Sequence, residues 1–216
     1  MGQVRAERKE QTRRALLSAA LDLSGDSSLG SVSLRQVAKQ VGIVPTGFYR
    51  HFSSVEELGL ALVDESFTSL RALLRDVRQV EADAERSAVR PRTGDLVDAS
   101  VDILVTHVEA HQPHFAFIAR ERAAGPPAVR EAIRHELDLC ARELATDLAR
   151  VTGTSQWSGE DLRILADLFV TVMVDTAETL LRAEGRPQAR AAVVQTARAQ
   201  LRMILVGAFH WDSERV

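Results

Sequence analysis

An all-α fold is what the sequence predicts, on three observations. Apolar residues recur at helical spacing through most of the chain, and no stretch of period-two alternation marks a strand. Hydroxyl caps, glycines and prolines punctuate the periodic stretches at helix-sized intervals. A length of 216 residues with 45% apolar content supplies enough side chains to bury a sizeable core, in one domain or two.

The elements follow in order. Leu16, Ala19, Ala20 and Leu23 lie at i, i+3, i+4 and i+7, one stripe of a first helix that ends near Gly25 and carries Arg8, Arg13 and Arg14 outside. Ser33 with Gln36 is the signature of a capping box, which starts a short second helix through Ala38 and Val41 that Gly42 stops. Pro45 suits the first turn of a third helix, where its missing N–H would have had no partner anyway. A fourth begins at Ser53 or Ser54, each followed three residues later by Glu56 or Glu57, and runs through Leu60, Val63, Phe67, Leu70 and Leu74. Residues 81–93 are charged, contain Pro91 and have weak periodicity, so a loop is expected there. Further helices are expected over about 95–111, 113–124, 128–151, 159–184 and 188–211, separated by Pro113, the Gly125-Pro126-Pro127 break, the Ser158 cap and Gly185-Arg186-Pro187.

The last two helices are apolar over more than half their circumference. Leu162, Leu165, Phe169, Met173 and Leu180 mark one face, Ile164, Leu168, Val172 and Ala177 its neighbour, and Val194, Ala197, Leu201, Ile204, Leu205, Ala208 and Trp211 a similar stripe. Such helices need burial on two sides. One side fits a core and the other a twin subunit, with Leu168, Val172, Leu201, Ile204, Leu205 and Ala208 as the dimer-interface candidates. A well-buried pair inside a monomer meets the same pattern.

The formal net charge of −3 hides an asymmetry. Residues 1–52 hold eight basic against four acidic residues, or +4, and the remainder holds 19 against 26, or −7. A basic nucleic-acid module on an acidic body has this signature, although ordinary solvated helix faces produce it too. The single cysteine, Cys140, excludes an intramolecular disulfide and a cysteine-based zinc finger, and reads as a small core residue. No apolar run reaches the roughly 18–20 residues of a membrane span, the best, 164–174, being cut by Asp167 and Thr171. No apolar export region follows the charged N-terminus, so a cytoplasmic location and no membrane partner are expected. Glycine-rich phosphate loops and nucleophile elbows are absent from the sequence, which argues against an enzyme.

Residues 33–52 carry the most information. Two short helices meet at a tight turn at Gly42, with Val37, Ala38, Val41 and Ile43 inward and Phe48 and Phe52 packing the second helix back. That is helix-turn-helix geometry, in which the second helix lies in the major groove. A structural αα-hairpin has the same apolar pattern but no need of Arg35, Lys39, Tyr49, Arg50 and His51 outside, nor of small Thr46 and Gly47 at the helix tip. Small tip residues permit close approach to base edges.

Gly42-Ile43, Tyr49-Arg50-His51-Phe52 and Ser54-Val55-Glu56-Glu57-Leu58 together resemble the DNA-binding domain of TetR-type transcriptional regulators, over roughly residues 8–63. Val44 departs from that pattern, which usually has a hydroxyl cap before the recognition helix. The resemblance implies a DNA-binding domain at 1–52 and a ligand-binding and dimerisation domain at 53–216. It implies phosphate contacts from Tyr49, His51 and Ser33, with Lys39 steering electrostatically; Arg35, Thr46 and Gly47 are the candidates for base-edge or close-approach readout. The basic arm before Ala15 either reaches an adjacent groove or is a disordered tail. Residues 4–9, 42–46, 64–66, 120–122 and 201–211 are similar to one branch, the FabR/DesT-type repressors of unsaturated fatty acid synthesis. That likeness implies a homodimer on a palindromic double-stranded operator and a long-chain acyl-CoA, or related acyl thioester, as effector, with no cofactor.

For such an effector, Phe67, Leu70, Leu74, Leu104, Val108, Phe115, Phe117, Ile118, Ile133, Leu137, Phe169 and Met173 are the candidates to line a tunnel, and an ordinary core would use the same residues. An acyl chain gains roughly 0.8 kcal/mol per buried CH₂. Arg120 and Arg122 are candidates for its polar head, although Arg120 with Glu121 also reads as a surface ion pair. Two other readings remain at this level. One is a regulator of the same fold answering an unrelated hydrophobic molecule. The other is a metal-binding or catalytic helical protein using His107, His111 and His114 with Glu109, where Pro113 interrupts the helix before the third histidine.

Overall fold

The local signals decide most of the elements. A computed structural model describes residues 2–25, 27–86, 93–150, 154 and 157–213, the side chains of 2–5, 69, 73–86 and 93 excepted, and no strand occurs among the described residues. In chain order there follow α1 (Gly2–Leu23), a 3-10 turn (Leu29–Ser31), α2 (Leu34–Val41), α3 (Pro45–Phe48), α4 (Val55–Arg86), α5 (Thr93–Ala110), α6 (Gln112–Ala124), α7 (Pro127–Leu148), α8 (Gly159–Arg182) and α9 (Pro187–Phe209).

The start of α2 is a full capping box. The Ser33 hydroxyl accepts from the Gln36 N–H at 3.3 Å, and the Gln36 side-chain oxygen accepts from the Ser33 N–H at 2.8 Å. Gly42 ends the helix in the left-handed region, at φ 75°, where a side chain is disfavoured. Ser54 caps α4, accepting from the Glu57 N–H at 3.0 Å. The Glu57 carboxylate in turn accepts from the hydroxyl and the N–H of Ser53, and the Ser53 hydroxyl above all holds it below the usual carboxylate range.

Two expectations need correction. Helix α4 continues to Arg86 and takes up the first part of the loop expected at 81–93; residues 87–92, with Pro91, lie outside the described residues, and α5 starts at Thr93. A 3-10 turn at Leu29–Ser31, capped by Ser28, adds to the expected elements. The N-terminal arm is not a disordered tail but forms the first turns of α1. The expected end of α7 at Val151 lies outside the described residues.

Two compact units divide the chain. The first comprises Met1–Thr68 with Pro113–Arg134, and so takes in more than the 1–52 segment: α1 to α3, the first part of α4, α6 and the first turns of α7. Its largest fully buried side chains include Phe48, Phe52, Phe67 and Phe117. The second comprises Ser69–Gln112 with His135–Val216, in which α5, α8 and α9 pack on one another. Val101, Leu104, Leu165, Ala166, Ala197 and Leu201 are buried there. Arg198 reaches Asp102 at 2.6 Å and Arg202 reaches Asp98 at 2.7 Å, lacing α9 to α5. Ser213 donates to the Asp161 carboxylate at 2.5 Å. That bond, with those from Ser158 and Trp211, keeps Asp161 below its usual range against the opposing effect of burial.

Candidate nucleic-acid interface

The first unit builds a rigid platform for its polar surface. Val37, Ala38, Phe48 and Phe52 are buried. The Phe48 ring stands edge-on to Tyr49 at 6.0 Å and 5.9 Å from Phe52, and the Arg13 guanidinium lies over the other ring at 4.8 Å from its centroid. A cation over an aromatic face is favourable and here ties α1 to the end of the α3 segment. Helix α3 is a single turn, continued by turns that bring the His51 N–H to the Phe48 carbonyl at 2.8 Å.

The seven DNA-contact candidates lie at the N-cap of α2, on α2 and α3, and in the turn that follows. Ser33, Arg35, Lys39, Thr46 and Tyr49 are exposed, and Gly47 and His51 are half-buried. Ser33 is exposed, with its hydroxyl engaged in the capping box. Val44, at the N-cap of α3, is 67% exposed and supplies no side-chain cap. A Cβ on Gly47 would meet Ile43 only at ordinary contact distance, 3.6 Å, so packing does not demand glycine there. His51 Nδ1 is buried with no hydrogen-bond partner among the described residues. Burial first, then the charges of Lys9, Arg13 and Arg50, push its imidazole below the ordinary histidine value, with Glu10 opposing.

The effector candidates fall in both units. Phe67, Phe115, Phe117, Ile118 and Ile133 are buried in the first. In the second, Leu104 and Val108 are buried, Leu70, Leu137, Phe169 and Met173 are half-buried, and the Leu74 side chain lies outside the described residues. Arg122 is exposed. The guanidinium of Arg120 donates to the Ser24 carbonyl, and Glu121 is not a surface ion-pair partner but a fully buried group. A half-open groove of ≈ 470 Å³ lies where α5, α8 and α9 meet, and Val108 is the one candidate among its lining residues. His107 and His111 stack at 5.7 Å, while His114 engages the Ser66 hydroxyl at 3.0 Å. No group of three metal-ligating side chains forms among the described residues.

The dimer candidates are placed unevenly. Leu201 is buried within the protomer at 2% exposure, Leu168 is exposed, and Val172, Ile204, Leu205 and Ala208 are half-buried. Ile164, Leu168, Met203, Val206, Phe209 and Trp211 are 47–73% exposed, an apolar surface on α8, α9 and the residues just after α9. Met203, Val206 and Phe209 escaped the sequence reading because they sit off the core stripe. Their i, i+3, i+6 spacing was the available signal.

Comparison with known proteins agrees with this architecture. The family model of the tetracyclin repressor-like C-terminal domain matches residues 93–207, and that of the bacterial regulatory proteins of the tetR family matches residues 16–62. The chain belongs to the TetR family of transcriptional regulators. Members bind DNA operators and small-molecule effectors, are typically dimers, and are not enzymes. Among solved structures, a tetR-family regulator from Streptomyces coelicolor is 20% identical with a TM-score of 0.63, covering 95% of this chain and 85% of that one. The fatty acid degradation regulator FadR from Bacillus halodurans is 11% identical with a TM-score of 0.63, covering 88% and 93%. A regulator from Rhodococcus sp. RHA1 is 23% identical with a TM-score of 0.58, covering 91% and 97%. At such identities these likenesses show the fold. No helix among the described residues is long and apolar enough to cross a membrane.

Proposed function

We propose that this protein is a homodimeric repressor that binds a palindromic operator and responds to a long-chain acyl thioester, with unsaturated fatty acid synthesis genes as its targets. The observation that carries the DNA-binding half is the capped α2, the left-handed Gly42 and the Pro45-started α3 in one buried frame, with Arg35, Lys39, Thr46 and Tyr49 left outside. Phosphate contacts from Tyr49, His51, Ser33 and Lys39 position such a head, and Arg35 with the tip at Thr46 and Gly47 reads bases. The acyl thioester is favoured by the likeness of residues 120–122 and 201–211 to the FabR/DesT branch. The fatty acid regulator among the structural neighbours points the same way. The buried apolar side chains of both units offer the chemistry an acyl chain requires.

The test begins with selection of DNA from a random pool by the full-length chain. Gel shifts on the selected site follow, with and without palmitoyl-CoA and oleoyl-CoA. A palindrome is expected, with its affinity changed about 5- to 150-fold by one of the thioesters. No selected DNA at low salt overturns the repressor reading. A selected palindrome indifferent to both thioesters overturns the effector and leaves a regulator of another hydrophobic molecule.

His51 gives the interface a pH dependence. In the free protein its imidazole titrates below the ordinary value, and a nearby phosphate raises it. Binding therefore takes up a proton. Operator affinity is expected to rise as pH falls through the bound-state value and to level off below the free-state one, which lies under about 6.5. His51→Gln should flatten the slope between pH about 8 and 6 in fluorescence anisotropy; an unchanged slope removes His51 from the phosphate contacts.

A further inference from the structure

Two successive residues of α6 hold the two ends of the connection between α1 and α2. Arg120 donates to the carbonyl of Ser24, just after α1. Glu121, fully buried, accepts from the Leu29 N–H at 2.9 Å through Oε1 and from the Ser28 hydroxyl at 3.1 Å through Oε2. The same hydroxyl stands 3.1 Å from the Ala124 carbonyl. Leu29, which starts the 3-10 turn, is itself buried against α4: a Cβ on Gly59 would collide with its Cδ2 methyl and stand 3.0 Å from a Val129 methyl. A glycine inside a helix weakens it relative to alanine, and here the missing Cβ is the room Leu29 occupies. Gly125, just after α6, also lacks room for a side chain: a Cβ there would lie 2.5 Å from the Glu121 carbonyl oxygen and 2.6 Å from its carboxylate.

We infer that Glu121 is a positioning residue for operator reading: by clasping the Ser28-Leu29 end of the connection, it fixes how α2 and α3 are presented for DNA. A buried carboxylate with two donors aimed at it is a directional contact; losing it strands the Leu29 N–H and leaves the Ser28 hydroxyl only the Ala124 carbonyl. The helix-turn-helix begins four residues after Leu29, at the Ser33 cap, so freedom at the turn passes directly into the orientation of α2. Half-site spacing on a palindrome is a geometric property of the two heads, and it is the quantity such freedom blurs.

The inference rests on the DNA-binding reading above. Its test uses the full-length dimer on its selected palindrome and on the same palindrome lengthened by one central base pair, which shifts the half-sites by about 3.4 Å. Glu121→Ala is expected to lose about tenfold or more on the native spacing and to discriminate less between the two spacings, with binding to random DNA at low salt unchanged. Glu121→Gln should restore wild-type behaviour. Its amide oxygen accepts from Leu29, and its amide nitrogen donates to Ser28, whose hydroxyl then turns to Ala124. Should Glu121→Ala fail to fold, Ser28→Ala removes one arm of the clasp and carries the test, with the same loss of spacing discrimination in smaller measure. Unchanged discrimination in a folded Glu121→Ala or Ser28→Ala dimer overturns the inference. So does an equal loss in Glu121→Gln and Glu121→Ala, or a loss that falls equally on both spacings and on random DNA. A wild-type chain that selects no DNA overturns instead the reading on which the inference rests.

Discussion

Phe48→Ala is expected to unfold the helix-turn-helix under conditions in which the second unit stays folded. Phe48 is fully buried and packs against both Tyr49 and Phe52. Removing such a ring costs about 3–5 kcal/mol, counting lost transfer energy and the cavity left behind. A domain has only about 5–15 kcal/mol in total, so the loss brings the head close to its folding threshold. Tyr49 loses the neighbour that orients it, and the turn hydrogen bonds from His51 and Phe52 to the Phe48 carbonyl lose the side chain that anchors them. Hydrogen exchange on the full-length protein reads this directly: protection should collapse in α2 and α3 and persist in α8 and α9. Selected-operator binding should vanish with it. Protection that survives in α2 would show that the frame does not depend on this ring.

The second large effect concerns the exposed apolar surface of α8 and α9. Leu168→Glu combined with Val206→Glu is expected to convert the dimer to a monomer in light scattering. Operator affinity should fall about 100-fold or more, because a palindrome is held by two heads whose binding is coupled. Both positions are exposed in the protomer, at 47% and 60%, so the fold itself should be little affected. Were the double variant still a dimer with operator binding intact, the interface would have to lie on another surface.

Much of the fold was legible because it is written in local chemistry. Ser33 with Gln36, Gly42, Pro45 and Ser54 with Glu57 each fix a helix end by a contact spanning three or four residues, and such contacts can be read from spacing alone. The end of α4 lies beyond what apolar periodicity marks. Glutamate, arginine and alanine are good helix formers without any apolar stripe, and residues 81–86 are rich in them. The role of Glu121 was out of reach for a different reason. Arg120 and Glu121 are neighbours in sequence but point to different partners on a helix, and those partners lie more than ninety positions away. On α9 the core stripe through Ala197 and Leu201 was clear, whereas Met203, Val206 and Phe209 lie outside it and belong to no intramolecular pattern.

The make-up of the first unit also sets a timetable. Its last segment, Pro113–Arg134, is separated from Met1–Thr68 by forty-four residues that belong to the other unit. During synthesis, therefore, α1 to α3 emerge long before Glu121 and Val129 exist to meet Leu29 and the space over Gly59. At roughly 5–20 residues per second, the helix-turn-helix waits several seconds on the ribosome with its supporting side unfilled. A nascent chain cut short before α6 carries all of α1 to α3 and lacks Glu121, the buried acceptor for Ser28 and Leu29. The helix-turn-helix segment is thus among the first parts of the chain to be made, and its unit is completed only after forty-four residues of the other unit have followed.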